Sequence, residues 1–308
     1  MTEEPDSGGP EPASSLADLS AAVLRRRGHA PFLTFYDDSS GERTEFSYAT
    51  FDNWVAKTAN FLVEEFDVGA GHRVVAATGT HWTTAVIAFA CWRAGACLAP
   101  VPSAATDQLA SAAGDPTAAA VFVEESALPA FHQASAAAGT LGAAVVAVGA
   151  GLGARLTTDG GDVLSFGEEV PAFADHFDAV VVPRDAAALA AGAVEPAPAA
   201  ESPAAAAQSL TMAELLGATA ATRTGLASSD RLLAAGPLHT VEGLILGCLA
   251  PFAAGASVVL VRNLDAGTLE RKLRDERVTL ALLETRAAHT LDASAAGPQF
   301  RGDFVASI

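Results

Sequence analysis

Val145–Gly153 reads VVAVGAGLG, a G-x-G-x-G run behind a short apolar stretch. Glycines at that spacing let backbone N–H groups approach a pyrophosphate, provided a helix comes next to add its N-terminal dipole. The next residues are Arg155-Leu156-Thr157-Thr158-Asp159-Gly160-Gly161, which have no helical pattern, so the run reads as a flexible turn. His72, His81, His132, His176 and His289 are scattered without an i, i+4 pair, which argues against a metal site. Ser126 and Ser165 lack the G-x-S-x-G turn that presents a hydrolase nucleophile. Cys91, Cys97 and Cys248 lie in apolar runs with no C-x-x-C spacing and read as buried free thiols. The residues themselves nominate no catalytic group and no metal ligand.

Composition narrows the partners. The 308 residues carry 18 basic and 36 acidic side chains, a formal net charge of −18. That balance argues against nucleic acid and against an anionic membrane surface. Only Lys57 and Lys272 are lysines, and an acid-rich, Lys-poor chain suits a protein kept hydrated in high salt. A GC-rich genome alone would also favour Ala and Arg. The start, MTEEPDSGGPEPASS, is acidic and polar, the opposite of a signal peptide, so a cytoplasmic location is expected. The long uncharged run Gly243–Val261 contains Pro251, Gly255 and Ser257, which should divide it into helix, turn and strand rather than a membrane span.

The elements form a clear series. Arg73–Thr78 reads as a buried strand, Thr80 or Thr83 as the cap of a helix through Arg93, Gly95 as its left-handed end, and Cys97–Val101 as the next strand. This βαβ unit points to a parallel sheet covered on both faces. Before it, strands at Leu33–Tyr36 and Thr44–Phe46 flank the turn DDSSGE, and Ser47 caps a helix with Phe51, Val55, Phe61 and Leu62 on one face. After it come a helix at Asp107–Ala113, a strand at Ala119–Val123, a helix at Leu128–Ala138 and a strand at Ala143–Val148, with a further strand at Asp178–Val182. Beyond the linker the alternation resumes: a helix at Leu210–Ala221 with Thr211 and Glu214 as a capping box, then strands and helices to Leu283. The expected division is an acidic tail over 1–15, a first α/β lobe over 16–185, a Pro/Ala-rich linker or loop over 186–208, and a second α/β lobe over 209–308.

The order of segments resembles the adenylate-forming superfamily, the AMP-dependent synthetases and ligases that include acyl-CoA synthetases. TEFSYATFDNWVAKTANFLVEEFDVGAGHRVV is similar to that family's T-Y-x-E-L helix and G-x-x-x-G-D-x-V strand entry. WTTAVIAFACWRAGACLAPV is similar to its A-G-x-x-x-x-P segment, with Arg93-Ala94-Gly95-Ala96 and Pro100 in register. DRLLAAGPLHTVEGLILGCLAPFAAGASVVLV resembles its P-L-x-H-x-x-G loop, helix and strand. The resemblance implies an α/β fold of doubly wound, mainly parallel sheets flanked by helices, like the family's large N-terminal domain. It also nominates His239, Thr240 and Gly243 as substrate- or nucleotide-binding residues, although His239 stands one place before the family's histidine and Thr240 occupies the aligned position.

The departures bear on activity. The family's phosphate loop, close to T-S-G-T-T-G-x-P-K-G, would fall between Asp185 and Leu210, where Glu195, Pro196, Pro198, Glu201 and Pro203 stand instead. Prolines lack the N–H donors such a loop needs, and acids repel a triphosphate. The Tyr-Gly-x-Thr-Glu and Thr-Gly-Asp motifs and the C-terminal domain with its lysine are expected to be missing. A degenerate, non-catalytic binding or partner-regulating scaffold is therefore expected. The alternative is an acyl-CoA synthetase-type ligase completed by a separate chain, the only case in which ATP and Mg²⁺ are expected. A protein partner supplying the missing segments, or a homo-oligomer, fits either expectation.

Overall fold

The computed structural model describes residues 15–139, 142–157, 163–178, 180–190, 209–283 and, as backbone, 306–307. The proposed phosphate-loop substitute and almost all of the acidic tail lie outside these residues. Two sheets organise the chain. One holds β1 (Pro31–Asp37), β2 (Arg43–Ser47), β10 (Arg231–Ala234), β11 (Ser257–Arg262), β12 (Leu280–Leu283) and β13 (Ala306–Ser307), in the order β13-β12-β10-β11-β1-β2. The other holds β3 (Arg73–Ala77), β4 (Cys97–Pro100), β5 (Ala118–Glu124), β6 (Ala144–Val148), β7 (Leu164–Ser165), β8 (Ala187–Ala190) and β9 (Ser209–Thr211), in the order β7-β6-β5-β3-β4-β8-β9. Among the described residues only the β1–β2 and β8–β9 pairs are antiparallel. The expected lobes exchange strands: β1 and β2 join the sheet made by the later half, and β9 joins the earlier one.

Strand alternation assigns the layers. Val74, Ala76 and Phe122 face a central core, while Val75, Ala77, Val121 and Val123 face a second cluster with Leu109 and Phe131. These last two residues come from α4 (Thr106–Ala113) and α5 (Leu128–Ala138). In the other sheet Leu232, Val258 and Leu260 face the central core, while Leu233, Val259 and Val261 face Leu269 and Leu273 of α10 (Ala266–Asp275). Each sheet is thus apolar on both faces, as a parallel sheet between helices must be. Between the sheets lie α2 (Tyr48–Phe66) and α3 (Trp82–Arg93), giving helix, sheet, helix, sheet, helix. Every residue of α3 is buried, which explains why its sequence is apolar all round.

The βαβ unit forms as expected: β3 and β4 pair in parallel, and Gly95 adopts φ +80° just past α3. Its cap differs. His81, not Thr80 or Thr83, accepts the Thr83 N–H through Nδ1 at 3.3 Å. Ser47 caps α2, and Thr211 with Glu214 closes the capping box of α7 (Met212–Arg223). The strand expected at Asp178–Val182 is not formed by 180–182: Val181 is 98% exposed. Its place beside β4 is taken by β8, inside the stretch expected to be linker, with Leu189 paired to Leu98 and Ala188 O accepting from Trp92 Nε1 at 2.8 Å.

Gly243–Val261 divides as expected, but not at Pro251. α8 (Val241–Leu244) runs through a wide π turn at Ile245–Leu249 into α9 (Ala250–Ala254). Proline has no N–H for the carbonyl four residues back, and a widened turn just before it absorbs the lost bond. Gly255, φ +74°, ends α9. No helix among the described residues is long and apolar enough to cross a membrane.

Candidate functional site

Because their strands are largely parallel, the two sheets each gather their carboxyl ends at one edge, and side chains from the two edges meet. Ligands of open α/β sheets bind at such an edge. Thr78–His81 come directly after β3, Glu124 ends β5, Asp37 ends β1, Arg262 and Asn263 end and succeed β11, and Ala235–His239 come after β10. Arg262 donates to Glu124 Oε2 at 2.8 Å, a bond from one sheet to the other. Thr80 Oγ1 donates to Gly236 O at 3.1 Å alongside it.

The ion pair separates two openings, and Arg262 and Asn263 border both. The larger, about 840 Å³, has Gly79, Thr80, Pro102, Pro237 and His239 on its walls. The smaller, about 390 Å³, has Asp37, Glu42, Thr78, His81 and Glu124. Gly79 has φ +58°, and a Cβ there would lie 3.0 Å from Glu124 Oε1, so glycine serves both conformation and approach.

The smaller opening is acidic. Glu124 is 9% exposed; Oε2 takes the guanidinium, while Oε1 is buried with no hydrogen-bond partner among the described residues. Asp37 titrates at about 2: burial pushes it up, but donation from Asn263 Nδ2 at 2.9 Å and from the Ser39 hydroxyl and N–H outweighs it. Burial likewise pushes the Glu42 carboxyl up, yet it stays below its ordinary range because His81 and Trp82 Nε1 face it at 3.5 and 3.3 Å. With Nδ1 accepting from Thr83 N–H, the His81 ring carries its proton on Nε2, toward Glu42.

The three residues nominated from sequence stand together at the start of α8 but in different settings. His239 is half-buried and stands on the wall of the larger opening. Thr240 is the cap of α8: its hydroxyl accepts from Gly243 N–H and donates to Pro237 O, each at 3.0 Å. A Cβ on Gly243 would lie 1.9 Å from Pro237 O, so glycine is what lets the helix start against the loop. The roles the structure gives Thr240 and Gly243 are therefore those of a turn. Sequence reasoning missed Glu124, Arg262, Asp37 and His81. Asp37, Glu124 and Arg262 each stand where an apolar strand run ends in a charged residue, and that was the available signal; His81, the cap of α3, had none of that kind.

Chemically, the smaller opening offers acceptors. A phosphate placed there would face Asp37, Glu42 and Glu124, with Arg262, already paired, the one Lys or Arg side chain on its walls among the described residues. Among the described residues no three His, Cys, Asp or Glu side chains gather as a metal-holding group. The Gly149–Gly153 turn comes after β6 with Gly151 and Gly153 at positive φ, and no helix begins in the described residues before Phe166.

Comparison with known proteins agrees with this architecture. The AMP-binding enzyme family matches residues 20–191. A TIGR03089 family protein of Mycobacterium tuberculosis is 33% identical over 277 residues, covering 86% of this chain and 98% of its own. Among solved structures, the Brucella canis acyl-CoA synthetase superposes with a TM-score of 0.74 at 17% identity, over 95% of this chain and 51% of its own. The N-terminal domain of FACL13 from Mycobacterium tuberculosis gives 0.74 at 15% identity, over 94% and 68%. ATP-bound MatB from Rhodopseudomonas palustris gives 0.68 at 18% identity, over 92% and 53%. The chain thus spans about half the length of the full synthetases whose fold it shares, and, with the family match reaching over more than half of it, it belongs to the AMP-binding enzyme family.

Proposed function

We propose that this protein is a non-catalytic member of its family, a cytoplasmic scaffold that binds a small ligand or a protein partner at the carboxyl edge of its sheets. The observation that carries this reading is the Arg262–Glu124 pair across the edge, with Asp37 and Glu42 kept ionised beside it. The family's chemistry brings a nucleoside triphosphate to this edge, and here the described walls present negative charge and a spent cation. The Glu195–Pro203 sequence where the phosphate loop would stand supports the same reading. Calorimetric titration with Mg·ATP at low and high salt tests it: no binding is expected, and tight binding in either condition overturns it.

A second reading is an acyl-CoA synthetase-type ligase whose remaining parts come from another polypeptide. It is favoured by His239 on the wall of the larger opening. It requires carboxylic acid-dependent pyrophosphate exchange once the partner chain is supplied. No exchange across a broad panel of acids, with the partner present, retires it.

A further inference from the structure

Near the amino ends of β10 and β11, which Ser228 and Gly255 precede, α1 (Leu16–Arg27), α7 and the end of α9 enclose a groove of about 560 Å³ that shares no wall residue with either opening. Its floor is apolar or small, with Leu19, Val23, Leu216 and Ala220 from the two helices and Ala253 and Ala254 from α9. Its rim is basic: Arg26 and Arg27 end α1, Arg223 ends α7, and Arg184 precedes β8. Four of the chain's 18 basic residues thus border one groove in a protein of net charge −18, and among the described residues no acidic one lines it. Among the described residues none of the four is paired with a carboxylate. Arg27 Nη2 donates to Ser228 O at 3.2 Å, while its Nε is buried with no partner.

These features are complementary to one kind of ligand. Guanidinium groups bind oxyanions through paired N–H donors, and several of them suit a dianion better than a singly charged carboxylate. An oxyanion at the rim gives these guanidinium groups the acceptor that no carboxylate among the described residues supplies. An apolar floor takes an aliphatic body, and the volume is in the range of small-molecule sites. We propose that this groove binds an amphipathic phosphate monoester, with its phosphate among Arg26, Arg27, Arg184 and Arg223 and its apolar body between α1 and α7.

Calorimetry of the full chain with octyl phosphate, octanoate and inorganic phosphate tests this. Octyl phosphate is expected to bind one to one, about tenfold or more tighter than either of the others. Arg26→Gln with Arg223→Gln should weaken it about tenfold or more without moving the thermal midpoint, because both side chains reach solvent. Ala220→Leu, which fills the floor, should weaken octyl phosphate by a similar factor, and Arg271→Gln on remote α10 should not. The proposal is overturned by no heat with octyl phosphate, by inorganic phosphate binding as tightly, or by the double variant keeping full affinity. Tighter binding of a glutamate-rich peptide than of octyl phosphate also overturns it, by marking the groove as a protein interface.

Discussion

Asp37 and Glu124 illustrate two ways of keeping a carboxylate in a half-closed site. Asp37 is held by neutral donors, which lower its pKa from 3.8 to about 2 in spite of burial. A folded-state pKa below the unfolded one contributes stability above the unfolded value and loses it as pH falls through the folded value. Asp37 should therefore contribute on the order of 2 kcal/mol at neutral pH, lost between about pH 4 and pH 2. Asp37→Asn should lower urea-unfolding stability at pH 7 and flatten its acid dependence in that window; an unchanged slope would contradict the assignment. Glu124 depends instead on one guanidinium. Arg262→Met leaves a buried carboxylate with no countercharge and should cost about 2–3 kcal/mol, the low end for such a loss because Arg262 is partly exposed. Glu124→Gln, which removes the charge and keeps the shape, should cost less. A larger loss for the glutamine variant would show that the pair is not what holds this edge. The pairing of Arg262 with Glu124 was not recognisable in sequence, since they stand 138 residues apart and only the sheet geometry joins them.

The helix entered at Thr240 shows why local sequence was informative about elements and less so about their jobs. Pro237-Leu238-His239-Thr240-Val241-Glu242-Gly243 identifies a strand-to-helix turn from residue types alone, and the structure builds that turn from Thr240 and Gly243. Which of its residues would face a ligand depended on side-chain direction, which spacing does not encode. Caps whose partners lie three residues away, at Ser47 and at Thr211 with Glu214, were likewise legible. β8 was not, because AALA in an Ala-rich run carries no strand signal; its neighbours Leu98 and Trp92 hold it in the sheet. The pairing of β1 with β11 was not legible either, since their Cα partners lie more than two hundred residues apart. Gly243→Ala should destabilise the protein by about 3 kcal/mol, because the new methyl meets backbone that can only move with the loop. Thr240→Ala, which removes only the cap, should cost about 1 kcal/mol. Thermal unfolding of both variants checks the order, and equal losses would rule out the steric account.

Whether two sheets from interleaved stretches of one chain behave as one body depends on the layer between them. Phe32 of β1 packs edge-on against Phe51 of α2 and Phe252 of α9, and Phe51 packs edge-on against Phe89 of α3. Trp82 gathers its neighbours Phe46 and Trp54 around the other end of the same layer, and Trp92 reaches β8. Removing either sheet would expose this shared core, so the described layers should unfold together. The three cysteines sample different places in it: Cys91 on α3, Cys97 on β4, and Cys248 in the π turn beneath the other sheet. Burial pushes all three thiols up, Cys248 to about 12, so none presents a thiolate to solvent in the folded state. Thiol labelling monitored through a urea titration should therefore show all three sites reacting with one midpoint, matching that of tryptophan fluorescence from Trp54, Trp82 and Trp92. If Cys248 labels at a urea concentration where Cys97 is still protected, the sheets open independently and the central helices belong energetically to only one of them. Coincident labelling makes the α2–α3 layer the element through which a change at the Arg262–Glu124 edge is felt by the whole molecule.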